Sequence, residues 1–167
     1  MLPPLRRPEY SPMAMQNRDR LLRKLAAIQG RPRAAMRGAL DKGSDEIVAL
    51  AKHLAPKRTG ALAKSIGKTF GDYTPDNANV RGVSSAGGGD PDLTVVIHAG
   101  DEEAYYAGWV ENGTAPHPAG GKFEGAQNPG TPAQPFFFPA YRTLRKKVKS
   151  SLARAASKAI REGASNG

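Results

Sequence analysis

The chain has 167 residues, among them 19 glycines and 14 prolines, no cysteine, and a formal net charge of +10 at pH 7. That length suits one domain with a modest core and long loops. Without cysteine there is no disulfide, no thiolate nucleophile and no zinc site of the cysteine type, and no apolar run approaches the roughly 20 residues a membrane-spanning helix needs.

The charge is unevenly placed. Residues 1–70 carry 15 Lys/Arg against 5 Asp/Glu, residues 71–139 carry 2 against 9, and residues 140–167 carry 8 against 1. Basic flanks around an acidic middle suit head-to-tail association, in which the basic face of one copy meets the acidic face of the next. A uniform nucleic-acid binder has no need of the acidic middle.

In chain order, residues 1–12 hold four prolines without periodicity and read as an extended arm. Their basic character comes without the apolar stretch of a signal peptide, which predicts a soluble protein that stays in the cytoplasm where it is made. Residues 13–162 read as a single domain and 163–167 as a tail. From Met13 the pattern is helical: Leu21, Leu22, Leu25 and Ile28 recur among arginines and lysines. Gly30 suits a helix C-terminal cap, and Pro32 the first turn of a new helix. The stripe resumes with Met36, Leu40, Ile47, Leu50 and Leu54, and Pro56 ends it. The expectation is a helix pair or one long kinked helix.

Leu62, Ile66 and Phe70 share one side by their even spacing. Residues 71–92 are rich in Gly, Asp, Asn and Ser and read as a loop. Residues 93–99, LTVVIHA, form a β-branched run and the clearest strand. Residues 105–110, YYAGWV, fit either strand or helix. Residues 115–134 form a second loop, rich in proline and glycine and longer than compact domains usually carry without a purpose. Then comes QPFFFPAY, with three of the five phenylalanines in one place. Pro139 fits the first position of a last helix, along which Tyr141, Leu144, Val148, Leu152, Ala155 and Ala159 form one stripe and Arg142, Arg145, Lys146, Lys147 and Lys149 crowd the remainder. Three consecutive residues cannot all face one side, so at least one of Phe136, Phe137 and Phe138 points away from its own core or toward a neighbour.

Patterns that would carry chemistry are weak. His53, His98 and His117 fall in a helix, a strand and a loop with no pair at metal-ligand spacing. Asp101, Glu102 and Glu103 sit where charged turn residues are expected, although paired carboxylates also serve acid–base chemistry or hold Mg²⁺. Glu111 lies apart from them, after an aromatic run. Two roles are open to it: accepting nearby backbone N–H groups, or an intersubunit salt bridge with a basic helix. The glycines at 87–89 and the AGGK at 119–122 lack the Lys-Ser/Thr of a phosphate loop. The basic helices suit phosphate, but no aromatic residue interleaves with their charges to make a stacking platform.

Three stretches in order carry a family resemblance: APKRTGALAKSI (Ala55, Pro56, Thr59, Gly60, Leu62, Ser65, Ile66), YYAGWVENGT (Tyr105, Tyr106, Val110, Glu111, Gly113, Thr114) and QPFFFPAY (Pro135, Phe136, Pro139, Ala140). In these the chain, from about Leu21 to Ile160, resembles the tail-completion or neck proteins of long-tailed bacteriophages, the gene-product-ten-like minor tail family. The arm before Met13 and the length of the loop between Thr114 and Pro135 depart from that pattern.

The resemblance implies an α+β fold, a small antiparallel sheet packed with a long N-terminal helix (or kinked helix pair) and a C-terminal helix. It implies a structural role without catalysis, cofactor, metal or membrane. Such a protein is a virion component of the tail or neck, assembled in the host cytoplasm. It forms a homo-oligomeric ring, commonly of six, that meets tail terminator or tail tube proteins on one side and head connector proteins on the other. DNA passes through its channel without sequence-specific binding. The expected interface residues are Thr59, Gly60, Leu62, Glu111, Gly113, Thr114, Pro135, Phe136, Phe137, Phe138, Pro139, Arg142, Arg145 and Lys146. A channel that lets DNA slide should not be strongly basic, so the basic helices are expected to face proteins and the acidic middle to lie nearer the lumen. The alternative is a nucleic-acid-binding accessory protein that uses Arg142–Lys149.

Overall fold

The computed structural model describes residues 18, 22, 23, 25, 26, 30–74, 81–84 and 90–165. The architecture is α+β. Two long helices, α1 (Arg31–Leu54) and α4 (Phe137–Ser165), pack together, and α1 also lies against a three-stranded antiparallel sheet. Residues 18, 22, 23, 25 and 26 are also helical, with Leu22 and Leu25 about half exposed. Gly30, at φ 85°, separates them from α1. The helix pair rather than one continuous helix is therefore realised. Gly30 serves as the N-terminal boundary of α1, and Pro32 follows in the first turn, where its missing N–H costs nothing.

The stripe expected on α1 turns inward at Leu40 and Ile47, joined by the small residues Gly43, Ser44 and Ala51. Gly43 matters because α4 passes directly over it. A Cβ there would lie 2.7 Å from Cγ1 and 2.8 Å from Cγ2 of Val148. Beside this contact Lys147 Nζ donates to Glu46 at 2.7 Å. The Ser44 hydroxyl turns back on its own helix and lies 2.8 Å from the carbonyl oxygens of both Leu40 and Asp41, to which it donates, so this buried hydroxyl is not stranded in the helix interface. On α4 the predicted stripe is the packed one: Val148 and Ala159 are buried, and Tyr141, Leu144 and Leu152 lie against the core.

The sheet has the order β1–β3–β2, with β1 Gly67–Phe70, β2 Arg81–Ser84 and β3 Val95–Ala99 in the middle. Gly67 lies opposite His98 and Phe70 opposite Val95; Arg81 lies opposite Ala99 and Ser84 opposite Val96. Along β3, Val95, Ile97 and Ala99 are buried while Val96 and His98 are half-buried, the period-two alternation of a sheet with one face on the core. On the other face His98 stacks on Tyr73, ring centroids 4.2 Å apart.

Two stretches differ from the sequence reading. The even spacing of Leu62, Ile66 and Phe70 is divided between one helical turn, α2 (Ala61–Lys64), and β1. A four-residue spacing satisfies both periods, and here Gly60, at φ 80°, starts the turn. Ser65 ends it, donating to Leu62 O at 2.9 Å and accepting from Gly100 N at 3.1 Å. Part of the segment expected as loop, Arg81–Ser84, is the strand β2. Further along lies a 3₁₀ turn, Pro91–Leu93, which α1 holds: Arg33 donates to Asp90 at 2.7 Å and to Asp92 at 2.8 Å, and Arg37 pairs with Asp92. Some of the acidic middle is thus paired with basic helix α1 inside one subunit. Lys68 likewise bridges Asp41 (2.5 Å) and Asp45 (2.7 Å) of α1. Burial pulls its pKa down, but the hydrogen bonds and charges of the two aspartates outweigh burial and raise it above the usual lysine value.

Candidate functional site

The YYAGWV run resolves as a short helix, α3 (Ala107–Asn112). Ala104 and Ala107 are wholly buried and Gly108 is buried as well, so small residues let the helix lie close on the core. Its large residues face the other way: Tyr105 is 49% and Trp109 46% exposed. Their rings meet edge to face with centroids 5.7 Å apart. Asp101 prepares the helix, its carboxylate accepting from Ala104 N at 2.7 Å, while Glu102 and Glu103 are exposed turn residues.

The end of α3 is fastened to the start of α4. Glu111 is buried, and its carboxylate accepts three backbone N–H groups: Phe136 at 2.8 Å and Phe137 at 2.9 Å on one oxygen, Phe138 at 3.1 Å on the other. These are among the N–H groups that a helix start leaves without internal partners. Pro139, the third residue of α4 rather than its first, has no N–H to satisfy. A carboxylate at the N-terminus of a 29-residue helix also meets the favourable end of its dipole. Of the two roles open to Glu111 from sequence, the structure displays the capping one.

Gly113 and Thr114 extend the junction. Gly113 sits at φ 72°, and a Cβ there would lie 2.7 Å from Thr131 O and 2.8 Å from Ala133 N. Only glycine admits this approach. Thr114 N donates to Thr131 O at 2.9 Å, Thr131 N returns to Thr114 O at 3.1 Å, and Gln134 N donates to Val110 O at 2.8 Å. The loop 115–134 is therefore closed at its base. Beyond it, β4 (His117–Pro118) pairs with β5 (Gln127–Asn128), and a 3₁₀ turn, Gly121–Phe123, forms the tip.

These parts enclose an open groove of about 1090 Å³. Pro56, Thr59 and Leu62 form one wall, Tyr106, Trp109 and Val110 another, and Thr114, Thr131 and the hairpin base the third, with Arg58 at the rim. The first two motif stretches are thereby brought together, with Gln134 of the third at the edge.

The residues expected at an interface fall into groups. Thr59 is exposed and Thr114 half-buried at the groove, Leu62 lines it although only 2% exposed, and Gly60 is half-buried next to Thr59 without lining it. Glu111, Phe136 and Phe137 are buried inside the subunit, so they act on a partner only by shaping what surrounds them. Gly113 is half-buried in the backbone staple and Pro135 is exposed. The phenylalanine that leans outward is Phe138, half-buried beside Pro139, with the Arg142 guanidinium 5.9 Å over its ring. Arg142, Arg145 and Lys146 are exposed on α4, apart from the residues that line the groove. Trp109 and Phe123 were not singled out by sequence. The signal available was a tryptophan four residues after Tyr105 in the one case, and an isolated aromatic in a Gly- and Pro-rich loop in the other.

Among the described residues, no three of His, Asp and Glu come together as a metal site would require, and no helix is long and apolar enough to cross a membrane. His117 Nδ1 lies 3.0 Å from Ala115 O within the hairpin, and His53 is exposed.

The described fold is thus a helix pair and a small sheet, with a groove that a stapled junction frames and that is open to solvent. Residues 19–113 match the model of the bacteriophage HK97-gp10-like family, described as a candidate tail-component. The chain belongs to that family, which places it among phage tail components, proteins with a structural role that contact other phage structural proteins. No curated protein and no solved structure matches the chain. The matched span covers α1, the sheet and α3 and stops at Gly113. The hairpin, the phenylalanine cluster and α4 lie beyond it.

Proposed function

We propose that this chain is the subunit of a ring of six at the head–tail junction, joining the upper end of the tail to the capsid connector without performing any reaction. Its partners on the two sides are tail terminator or tail tube proteins and head connector proteins, and DNA traverses the channel without sequence-specific contacts. The observation that carries this reading is the convergence of the Thr59–Leu62 and Tyr106–Thr114 stretches on one open groove at the protein surface. Catalytic sites enclose small ligands and expel water, whereas this groove is broad, aromatic and open.

Charge supports the same reading. After the internal pairs of Arg33, Arg37 and Lys68 are formed, exposed cations remain on α4 at Arg142, Arg145, Lys146 and Lys149, and exposed carboxylates remain at Glu102, Glu103 and Glu124. Opposed surfaces of this kind suit contact between successive copies in a ring. In the ring the basic helix faces protein and the acidic surface lies nearer the lumen.

Multi-angle light scattering with and without DNA tests the proposal. The expected result is a mass six times 17.7 kDa that does not depend on DNA, together with the protein at the neck in images of intact particles. A ring with a strongly basic lumen would overturn the assignment of faces. One observation favours a second reading: α4 carries no acidic residue before Glu162. A monomer that forms a salt-sensitive DNA complex would establish that reading instead.

A further inference from the structure

The most exposed large apolar side chain among the described residues is Phe123, at 72%. It stands at the tip of the 115–131 hairpin, and backbone hydrogen bonds shape the tip. Ala119 N donates to Ala126 O at 2.8 Å, and Ala126 N to Phe123 O at 3.1 Å. At the base, the Thr114–Thr131 pair and the close approach at Gly113 join the hairpin to the end of α3, which Glu111 holds to α4. An exposed aromatic on a preformed projection has little conformational entropy left to lose on docking.

Beside the base of the same hairpin lies the groove, with Trp109 46% exposed on its wall. Phe123 does not fill it in its own subunit. The two features also complement each other in charge. Arg58 is exposed at the groove rim and Glu124 is exposed next to Phe123, and neither makes an ion pair among the described residues.

We propose that Phe123 of one copy inserts into the Trp109 groove of the next, with Glu124 meeting Arg58 at the rim. Knob and groove are different surfaces of one subunit, so the contact is head-to-tail and generates a ring when the rotation between copies closes. This inference rests on the ring reading above and names the contact that would build it.

The chain has no cysteine, so two single-cysteine variants at exposed positions, Lys122→Cys beside the knob and Thr59→Cys in the groove, leave Phe123 in place and give an unambiguous test. Each is purified alone, then both are mixed and oxidised. A disulfide-linked dimer abundant in the mixture and scarce in either variant alone is expected. Phe123→Ala should weaken self-association by light scattering about 30-fold, as loss of an aromatic hot spot does, and Phe123→Leu should retain most of it. Both substitutions are at an exposed tip, and unchanged circular dichroism will show that the fold is kept. An oligomer that yields no mixed cross-link, that Phe123→Ala leaves intact, or whose groove cross-links to a different particle protein overturns the knob-and-groove contact and leaves the ring standing. A wild-type chain that stays monomeric at every concentration, with no mixed cross-link between the two cysteine variants, overturns both.

Discussion

The α1–α4 pair and the α3–α4 junction are held by different physics. The helix pair depends on many apolar contacts distributed along two long stripes, tightened at one point where Gly43 admits Val148. No single contact decides it. The junction depends on a few polar and steric conditions that admit one solution: a single carboxylate for three N–H groups, and a glycine pressed against the backbone of Thr131 and Ala133. Distributed packing tolerates change by small relaxations, whereas a lone acceptor serving several buried donors cannot be replaced in part. The less tolerant of the two regions is also the one that frames the groove.

Breaking this contrast should begin at Glu111. Glu111→Ala leaves the N–H groups at the start of α4 without an acceptor and is expected to cost about 3–5 kcal/mol. Denaturant titration measures this as a lowered midpoint. Glu111→Gln keeps one acceptor oxygen and should recover part of the loss. A cost below about 1 kcal/mol for Glu111→Ala would show that water replaces the carboxylate and that the junction is looser than described. Gly113→Ala comes next, at about 2–3 kcal/mol, because it combines positive φ with a Cβ pressed against backbone.

On the helix side, Gly43→Ala should be milder. Overpacking against Val148 costs about 1–3 kcal/mol, while removing a mid-helix glycine returns up to about 1. Adding Val148→Ala opens the space, so the double variant should be more stable than additivity of the two single changes allows. Simple additivity would mean that the helices do not meet at Gly43. The smallest effect belongs to Lys68. Its pKa is raised in the folded protein, so its pairing with Asp41 and Asp45 stabilises fully below the unfolded lysine value, near 10.5, and is lost as pH rises through the folded value. A comparison with Lys68→Met across alkaline pH should show a difference below about 1 kcal/mol that fades in that window.

The same contrast explains what could be read from sequence. The stripe from Tyr141 to Ala159, the inward positions Leu40 and Ile47 and the alternation along β3 announce themselves, because periodic burial writes a periodic pattern. The strand β2 was hidden: its place depends on backbone pairing with β3, more than ten residues away, and its Gly- and Ser-containing sequence carries no alternation. The hairpin was equally opaque, since positive φ at Gly121, Gly125 and Gly130 shapes it and proline-rich composition alone says only loop. Phe136, Phe137 and Phe138 showed that one ring must turn away. Which one turns depends on where α4 begins, and that is fixed by Glu111, 25 residues upstream of Phe136.

The Glu111 clasp has a mechanical consequence. It joins a groove wall to one end of a 29-residue rod, and such a rod is about 44 Å long. If wall and rod turn together, a tilt of about 5° at the clasp swings the far end by about 4 Å, since displacement grows with rod length. A slight adjustment at the groove wall would be magnified at the far end of the helix, so a contact made at one end of the molecule is transmitted to the other without any part of the chain unfolding.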